Sequence, residues 1–112
     1  MLKLYLYKGC DTCRKARKDL DANGVAYTEI AIRETPPTLN ELQQMLAAYD
    51  GNIKKLFNTS GADYRSMKIG ERLPTMSTEE ALALLASNGN LVKRPFIIDP
   101  AQKIFRVGYT PS

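Results

Sequence analysis

The chain has no histidine and only two cysteines, Cys10 and Cys13. A zinc site needs more ligands than two thiols, so this pair cannot close one. No apolar run approaches the roughly 20 residues of a membrane span. The opening Met1-Leu2-Lys3-Leu4-Tyr5 reads directly as a strand and carries no apolar stretch of signal-peptide type. Two cysteines behind such a start point to a reducing cytoplasm, where a disulfide is transient and functional. Repeats, linkers and low-complexity tracts are missing too, which leaves residues 1–112 as one domain. Nor is there one basic block. The net charge is +4, but the cations are spread over 14–18, 54–55, 65–72 and 93–106. That scatter suits small anionic ligands or an acidic partner surface, and no direct DNA binding is expected.

What is present is concentrated near the N-terminus. Leu2, Leu4 and Leu6 alternate with Lys3, Tyr5 and Tyr7, the period of a strand. Thr12 to Asn23 reads as a helix with Cys10 or Asp11 as N-cap, a stop at Gly24, and Cys13, Ala16 and Leu20 facing inward. The turn between them holds both cysteines as Cys-x-x-Cys, a redox motif of thioredoxin type. A helix entrance has unpaired N–H groups and partial positive charge. A thiolate there is stabilised, so Cys10 is expected to ionise readily and act as nucleophile. Arg14, Lys15, Arg17 and Lys18 help only where they turn toward the sulfur. Cys13 lies one helical turn on, about 5–6 Å away and within disulfide reach. The bland alternative is two inert thiols, since reactivity follows the electropositive setting rather than cysteine itself.

The remaining chain supplies a mixed α/β domain. Val25 to Ile32 reads as a second strand, making β-α-β with a parallel pair. Thr38-Leu39-Asn40-Glu41 is a capping box opening a helix with Leu39, Leu42, Met45, Leu46 and Tyr49 on one side, closed by Asp50-Gly51. Short helices are expected over Ile53–Phe57 and Ala62–Met67. Ser77-Thr78-Glu79-Glu80 is a second capping box, starting a helix that Asn88-Gly89-Asn90 stops. Leu91 to Ile98 reads as a strand interrupted by Pro95. A turn at Asp99-Pro100-Ala101-Gln102 then leads to Lys103–Val107, completing a hairpin.

Four pieces in this order carry a resemblance. They are Tyr7-Lys8-Gly9-Cys10-Asp11-Thr12-Cys13-Arg14-Lys15-Ala16, Phe57-Asn58-Thr59-Ser60-Gly61 with Tyr64-Arg65, Lys93-Arg94-Pro95, and Arg106-Val107-Gly108-Tyr109. Together the sequence resembles the arsenate reductase (ArsC)/Spx family of thioredoxin-like proteins. The resemblance implies a thioredoxin-like fold with a mixed sheet, residues 38–90 forming an inserted helical lobe before a C-terminal β-hairpin. It makes Cys10 the nucleophile, and it gives oxyanion binding to Arg94, Arg106 and, less directly, Arg65. A planar, permanently charged guanidinium suits that role. It also implies a cis Arg94–Pro95 bond facing the cysteines. This sequence departs from the glutaredoxin-coupled arsenate reductases in three ways. Asp11-Thr12-Cys13 stands where they have Gly-Thr-Ser, Leu6 stands in place of their histidine, and they continue into a C-terminal helix for which Thr110-Pro111 would serve as N-cap and N1. The first two move the motif toward the Spx branch.

The leading expectation is a cytoplasmic thiol-disulfide oxidoreductase. Cys10 attacks, Cys13 resolves, and an external thiol reductant (glutathione with glutaredoxin, or thioredoxin) restores the pair without a bound cofactor or metal. The alternative is an Spx-like redox sensor in which a Cys10–Cys13 disulfide alters binding to RNA polymerase. Motif chemistry is common to catalyst and sensor.

Overall fold

The computed structural model describes residues 1–109. Its centre is a four-stranded mixed sheet in the order β2-β1-β3-β4. β1 (Leu2–Leu6) runs parallel to β2 (Tyr27–Ala31), with Leu6 opposite Ala31, and antiparallel to β3 (Phe96–Asp99), with Tyr5 opposite Phe96. β4 (Ile104–Val107) closes the hairpin on β3, pairing Ile97 with Arg106. The fold is the thioredoxin-like α/β arrangement that the motif order implied.

Alternation along β1 sends its side chains to two different cores. Leu2, Leu4 and Leu6 pack with Ile97 against Cys13 and Ala16 of α1 (Asp11–Ala22). Tyr5, opposite in sense, is only 2% exposed and joins Phe96 and Ile98 in the larger core. The Tyr5 and Phe96 rings meet edge to face at 5.6 Å. That second face is covered by α2 (Leu39–Ala48), through Leu42 and Met45, and by α5 (Thr78–Ser87), through Leu82 and Leu85. The helical stretch between β2 and β3 thus shares a core with the sheet.

α2 starts at a complete capping box: Thr38 accepts the Glu41 N–H, and Glu41 accepts the Thr38 N–H. The same buried carboxylate takes the Tyr5 hydroxyl at 2.6 Å and Lys3 Nζ at 3.0 Å, tying helix to sheet. At α5 the expected reciprocal box is altered. Ser77 accepts the Glu80 N–H, but the Glu80 carboxylate takes the Ser77 hydroxyl instead of its N–H. Leu39, expected on the inner face of α2, lies in the first turn and is 46% exposed.

Between Phe57 and Ser77 the chain is more helical than its pattern suggests, with α3 (Ala62–Ser66), α4 (Ile69–Arg72) and a 3₁₀ turn at Leu73–Thr75. The largest correction concerns Leu91 to Ile98. Residues Gly89–Leu91 form a 3₁₀ turn, and Val92 makes an isolated bridge to Phe57. Asn58 N–H donates to Leu91 O at 2.7 Å, and Lys93 N–H to Leu56 O at 2.8 Å. This short pairing ends before Pro95, which has no N–H to extend a ladder, and β3 begins at Phe96. β2 is also shorter than expected, because the Val25 N–H closes the end of α1 on Leu20 O. The helix start considered at Thr110-Pro111 lies outside the described residues.

Candidate active site around Cys10 and Cys13

The site sits where β1 ends. A turn closed by Cys10 N–H to Tyr7 O, at 3.1 Å, carries the chain from Leu6 into α1. Cys10 is the N-cap of that helix, with extended backbone angles (φ −94°, ψ 116°). Its sulfur replaces the usual capping oxygen and accepts the Cys13 N–H at 3.3 Å. Thr12 Oγ1 lies 3.0 Å from the same sulfur. One helical turn on, Cys13 faces inward among Leu4, Leu6, Ala16 and Ile97. Both cysteines are free thiols.

This placement separates the two acidities. Partial burial opposes ionisation of Cys10. Hydrogen bonds from the Cys13 thiol, the Thr12 hydroxyl and the Cys13 N–H, with the Arg94 charge, together outweigh it and hold Cys10 below the usual thiol value. Burial pushes Cys13 up to about 12, aided by the hydrogen bond and negative charge it shares with Cys10. The Tyr7 backbone and Arg94 oppose that rise without cancelling it.

The cations of α1 contribute less than their position suggests. Arg14 is paired with Asp11, and Arg17 with Glu29 at 3.2 Å. Arg94 acts on both thiols instead, from the loop before β3, and the Arg94–Pro95 bond is cis. Its guanidinium lies 5.3 Å from the centre of the Tyr7 ring. Arg94 Nη1 is buried and has no hydrogen-bond partner among the described residues. Arg106 is exposed on β4 and lines a different cleft, of about 390 Å³, with Asp19, Leu20 and Tyr109. Arg65 is exposed on α3. Of the three arginines considered for oxyanion binding, Arg94 is therefore the one that acts electrostatically on the cysteine pair.

Arg33 was not foreseen. Its guanidinium lies 4.8 Å from the centre of the same Tyr7 ring. A Cβ on Gly9 would stand 2.7 Å from Tyr7 Cε2, so the glycine lets the ring lie across the turn. The available signal was register: with β1 and β2 parallel, residues just beyond Ala31 emerge beside those just beyond Leu6, at the strand ends where α/β folds bind ligands. Arg33, Tyr7 and Lys8 share the wall of a cleft of about 650 Å³. A smaller cavity, about 270 Å³, reaches Cys13 between Tyr7, Lys8, Arg14 and Arg17. Among the described residues no cluster of acidic, histidine or cysteine side chains is arranged to hold a metal, and no helix is long and apolar enough to cross a membrane.

The model of the ArsC family matches residues 5–112. The chain belongs to the ArsC family. Among this ArsC-family protein's relatives is the uncharacterized protein YusI of Bacillus subtilis (strain 168), 46% identical over 98 residues, covering 88% of this chain and 83% of YusI. The global transcriptional regulator Spx of Listeria innocua is 28% identical over 97% of this chain and 80% of its own. Among solved structures, a possible arsenate reductase from Streptococcus mutans UA159 superposes with a TM-score of 0.91 at 38% identity, covering 100% of this chain and 93% of that one. An ArsC family related protein from Bacteroides fragilis gives 0.90 at 41% identity, with 98% and 91% covered.

Proposed function

We propose that this ArsC-family protein is a thiol-disulfide oxidoreductase with Cys10 as nucleophile and Cys13 as resolving cysteine. The observation that carries the reading is the single contact from Cys13 N–H to Cys10 Sγ. It places a half-buried thiol of lowered pKa one turn before a buried thiol held protonated. Cys10 thiolate attacks one sulfur of a disulfide; the S–S bond breaks, and the other half leaves as a thiolate with the bonding pair. Once Cys10 is in that mixed disulfide it carries no negative charge, so two of the influences that raise Cys13 are gone. Cys13 then gives its proton to solvent, its sulfur attacks Cys10 Sγ, and the second half is expelled as a thiolate. The protein has lost two electrons and the substrate disulfide has gained them. A small thiol with glutaredoxin, or a thioredoxin-type protein, reverses the internal disulfide in a reducing cytoplasm. A small oxyanion held by Arg94 is the accompanying proposal for arsenate-type chemistry, with Arg106 and Arg65 as the further arginines the family resemblance names.

The test is to equilibrate the protein against defined thiol-disulfide buffers, count free thiols, and follow turnover with glutathione/glutaredoxin or thioredoxin. A reversible two-electron step confined to Cys10 and Cys13, with turnover, is expected. A pair that stays reduced under mild oxidants overturns the reading. The similarity to Spx over nearly the whole chain favours one alternative, a redox sensor that binds RNA polymerase and does not turn over. Redox-dependent capture of polymerase in the absence of turnover would select it.

A further inference from the structure

Two guanidinium groups flank one aromatic ring at the mouth of this site, and neither joins an ion pair among the described residues. Arg94 is the one that acts on the cysteines. Arg33 is exposed in the turn just beyond β2 and approaches the same ring. It borders both the cleft of about 650 Å³ and a smaller one of about 200 Å³ that it shares with Asp63, Asn90 and Arg94.

Among the described residues no carboxylate stands within ion-pair distance of it. Glu29 is bound by Arg17 at 3.2 Å. Asp63 Oδ2 accepts the side-chain amides of Asn88 and Asn90, at 3.1 and 3.2 Å. Glu34 lines the large cleft but forms no ion pair with Arg33. Lys8 adds a second positive charge to the same wall, two residues before Cys10. The wall is apolar as well: Leu6, Ile30 and the Tyr7 ring line it. Such a cleft is far larger than a four- or five-atom oxyanion, and its apolar stretch suits an aliphatic or peptide stem.

We propose that Arg33 selects the disulfide co-substrate, binding a carboxylate on the stem that lies along the Tyr7–Ile30 cleft while its sulfur is presented to Cys10. The class of co-substrate is a small carboxylate-bearing disulfide. This rests on the oxidoreductase reading above and names its substrate class. The electron balance is the one given there: the disulfide takes two electrons and leaves as two thiols, and the protein becomes the Cys10–Cys13 disulfide.

Three small disulfides of different charge test it in the reduced full chain. They are 3,3′-dithiodipropionate (dianionic), bis(2-hydroxyethyl) disulfide (neutral) and cystamine (dicationic), with the rate of Cys10 mixed-disulfide formation read by acid quench and mass spectrometry. The wild-type protein is expected to favour the dianion over the neutral probe. Arg33→Gln should reduce that preference, read as the ratio of dianion to neutral rate, about fivefold, the upper range for one solvent-accessible ion pair. Arg33→Glu should reverse the order and favour cystamine. Arg33 is exposed, and a melting curve matching the parent's would show the variants folded. A dianion preference that persists unchanged in Arg33→Glu, or no preference in the wild type, overturns the proposal and leaves the oxidoreductase reading standing. A charge preference that follows Arg33 without any later Cys10–Cys13 disulfide supports the proposal and removes the resolving role of Cys13.

Discussion

Cys13, a residue only 1% exposed, donates its backbone N–H to Cys10 Sγ at 3.3 Å while its own side chain packs among leucines and Ile97. The two halves of one residue therefore do opposite electrostatic work. The amide stabilises negative charge on its neighbour, and the desolvated thiol resists acquiring any. This asymmetry follows from spacing. A cap residue and the residue three on are joined by one of the unpaired N–H groups of the first helical turn, and that same turn carries the second side chain under the sheet.

Alkylation should report the asymmetry directly. With iodoacetamide and peptide mapping on the intact reduced protein, Cys10 is expected to react with a midpoint below the ~8.5 of a free thiol. Cys13, still buried once Cys10 is capped, should stay unmodified near neutral pH and label when the protein unfolds. Faster labelling of Cys13 near neutral pH would reverse the assigned roles.

Thr12→Val isolates one contribution to Cys10. The substitution keeps shape and removes the hydroxyl that lies 3.0 Å from the sulfur. Loss of one such hydrogen bond, worth about 0.5–1 kcal/mol in net terms, should slow Cys10 alkylation at pH 7 by roughly two- to fivefold. Thermal stability should change little, since Thr12 is exposed.

Local signals made most of this architecture legible. Alternation located β1, the Thr38–Glu41 spacing located α2, and Cys-x-x-Cys between a strand and a helix located the site. What escaped was decided by contacts distant in sequence. Tyr5 alternates with Leu4 and Leu6, yet it is buried too, because residues from Leu42 to Leu85 cover the sheet's other face. Arg14 and Arg17 read as support for the thiolate, yet Asp11 and Glu29 hold them. Arg33 carries no motif at all, and only the parallel register of β1 and β2 brings it to Tyr7. The strand expected from Leu91 failed for a similar reason, since residues 91–93 pair with 56–58 before the sheet is reached.

Glu41 should show its role through pH. Burial raises its affinity for a proton, but hydrogen bonds from Tyr5, the Thr38 N–H and Lys3 prevail and hold the carboxyl below its ordinary value of 4.5. A group whose folded value is depressed stabilises the fold above the unfolded value, and that contribution is lost as pH falls through the folded one. Glu41→Gln is expected to cost about 1.5–3 kcal/mol in urea unfolding at pH 7, the range for hydrogen bonds to a charged group. The gap between wild type and variant should narrow below pH 4.5. A gap independent of pH would assign Glu41 a purely steric role.

Gly89 is expected to tolerate no side chain. A Cβ there would stand 1.8 Å from the carbonyl oxygen of Ile32 and 2.7 Å from its carbon, both backbone atoms of the segment leaving β2. Gly89→Ala should therefore force apart the turn before β3 and the residues leading to Arg33, at about 1–3 kcal/mol. Urea titration measures the loss, and Cys10 alkylation on the folded fraction shows whether the displacement reaches the site. Wild-type stability in the variant would mean that the two segments are less closely packed than the geometry requires.

Sulfate competition should separate the three arginines. Arg94 acts electrostatically on both thiols and has a buried Nη1 without a partner among the described residues, so an anion arriving at Cys10 finds an unsatisfied donor already in place. Helix N–H groups at the same point favour the same charge. Sulfate is therefore expected to slow alkylation of Cys10 in a saturable manner, beyond the effect of chloride at equal ionic strength. In Arg94→Gln that protection should disappear, and Cys10 itself should become less reactive near pH 7 because one stabilising charge is gone. Arg106→Gln and Arg65→Gln should retain both protection and reactivity, because Arg106 lines the cleft by Asp19 and Tyr109 and Arg65 is exposed on α3. Protection lost equally in all three variants would show that the arginines converge on the bound anion, as the family resemblance implies, and that the arrangement described here closes around its ligand. Protection intact in Arg94→Gln would place the anion elsewhere and remove Arg94 from the site's chemistry.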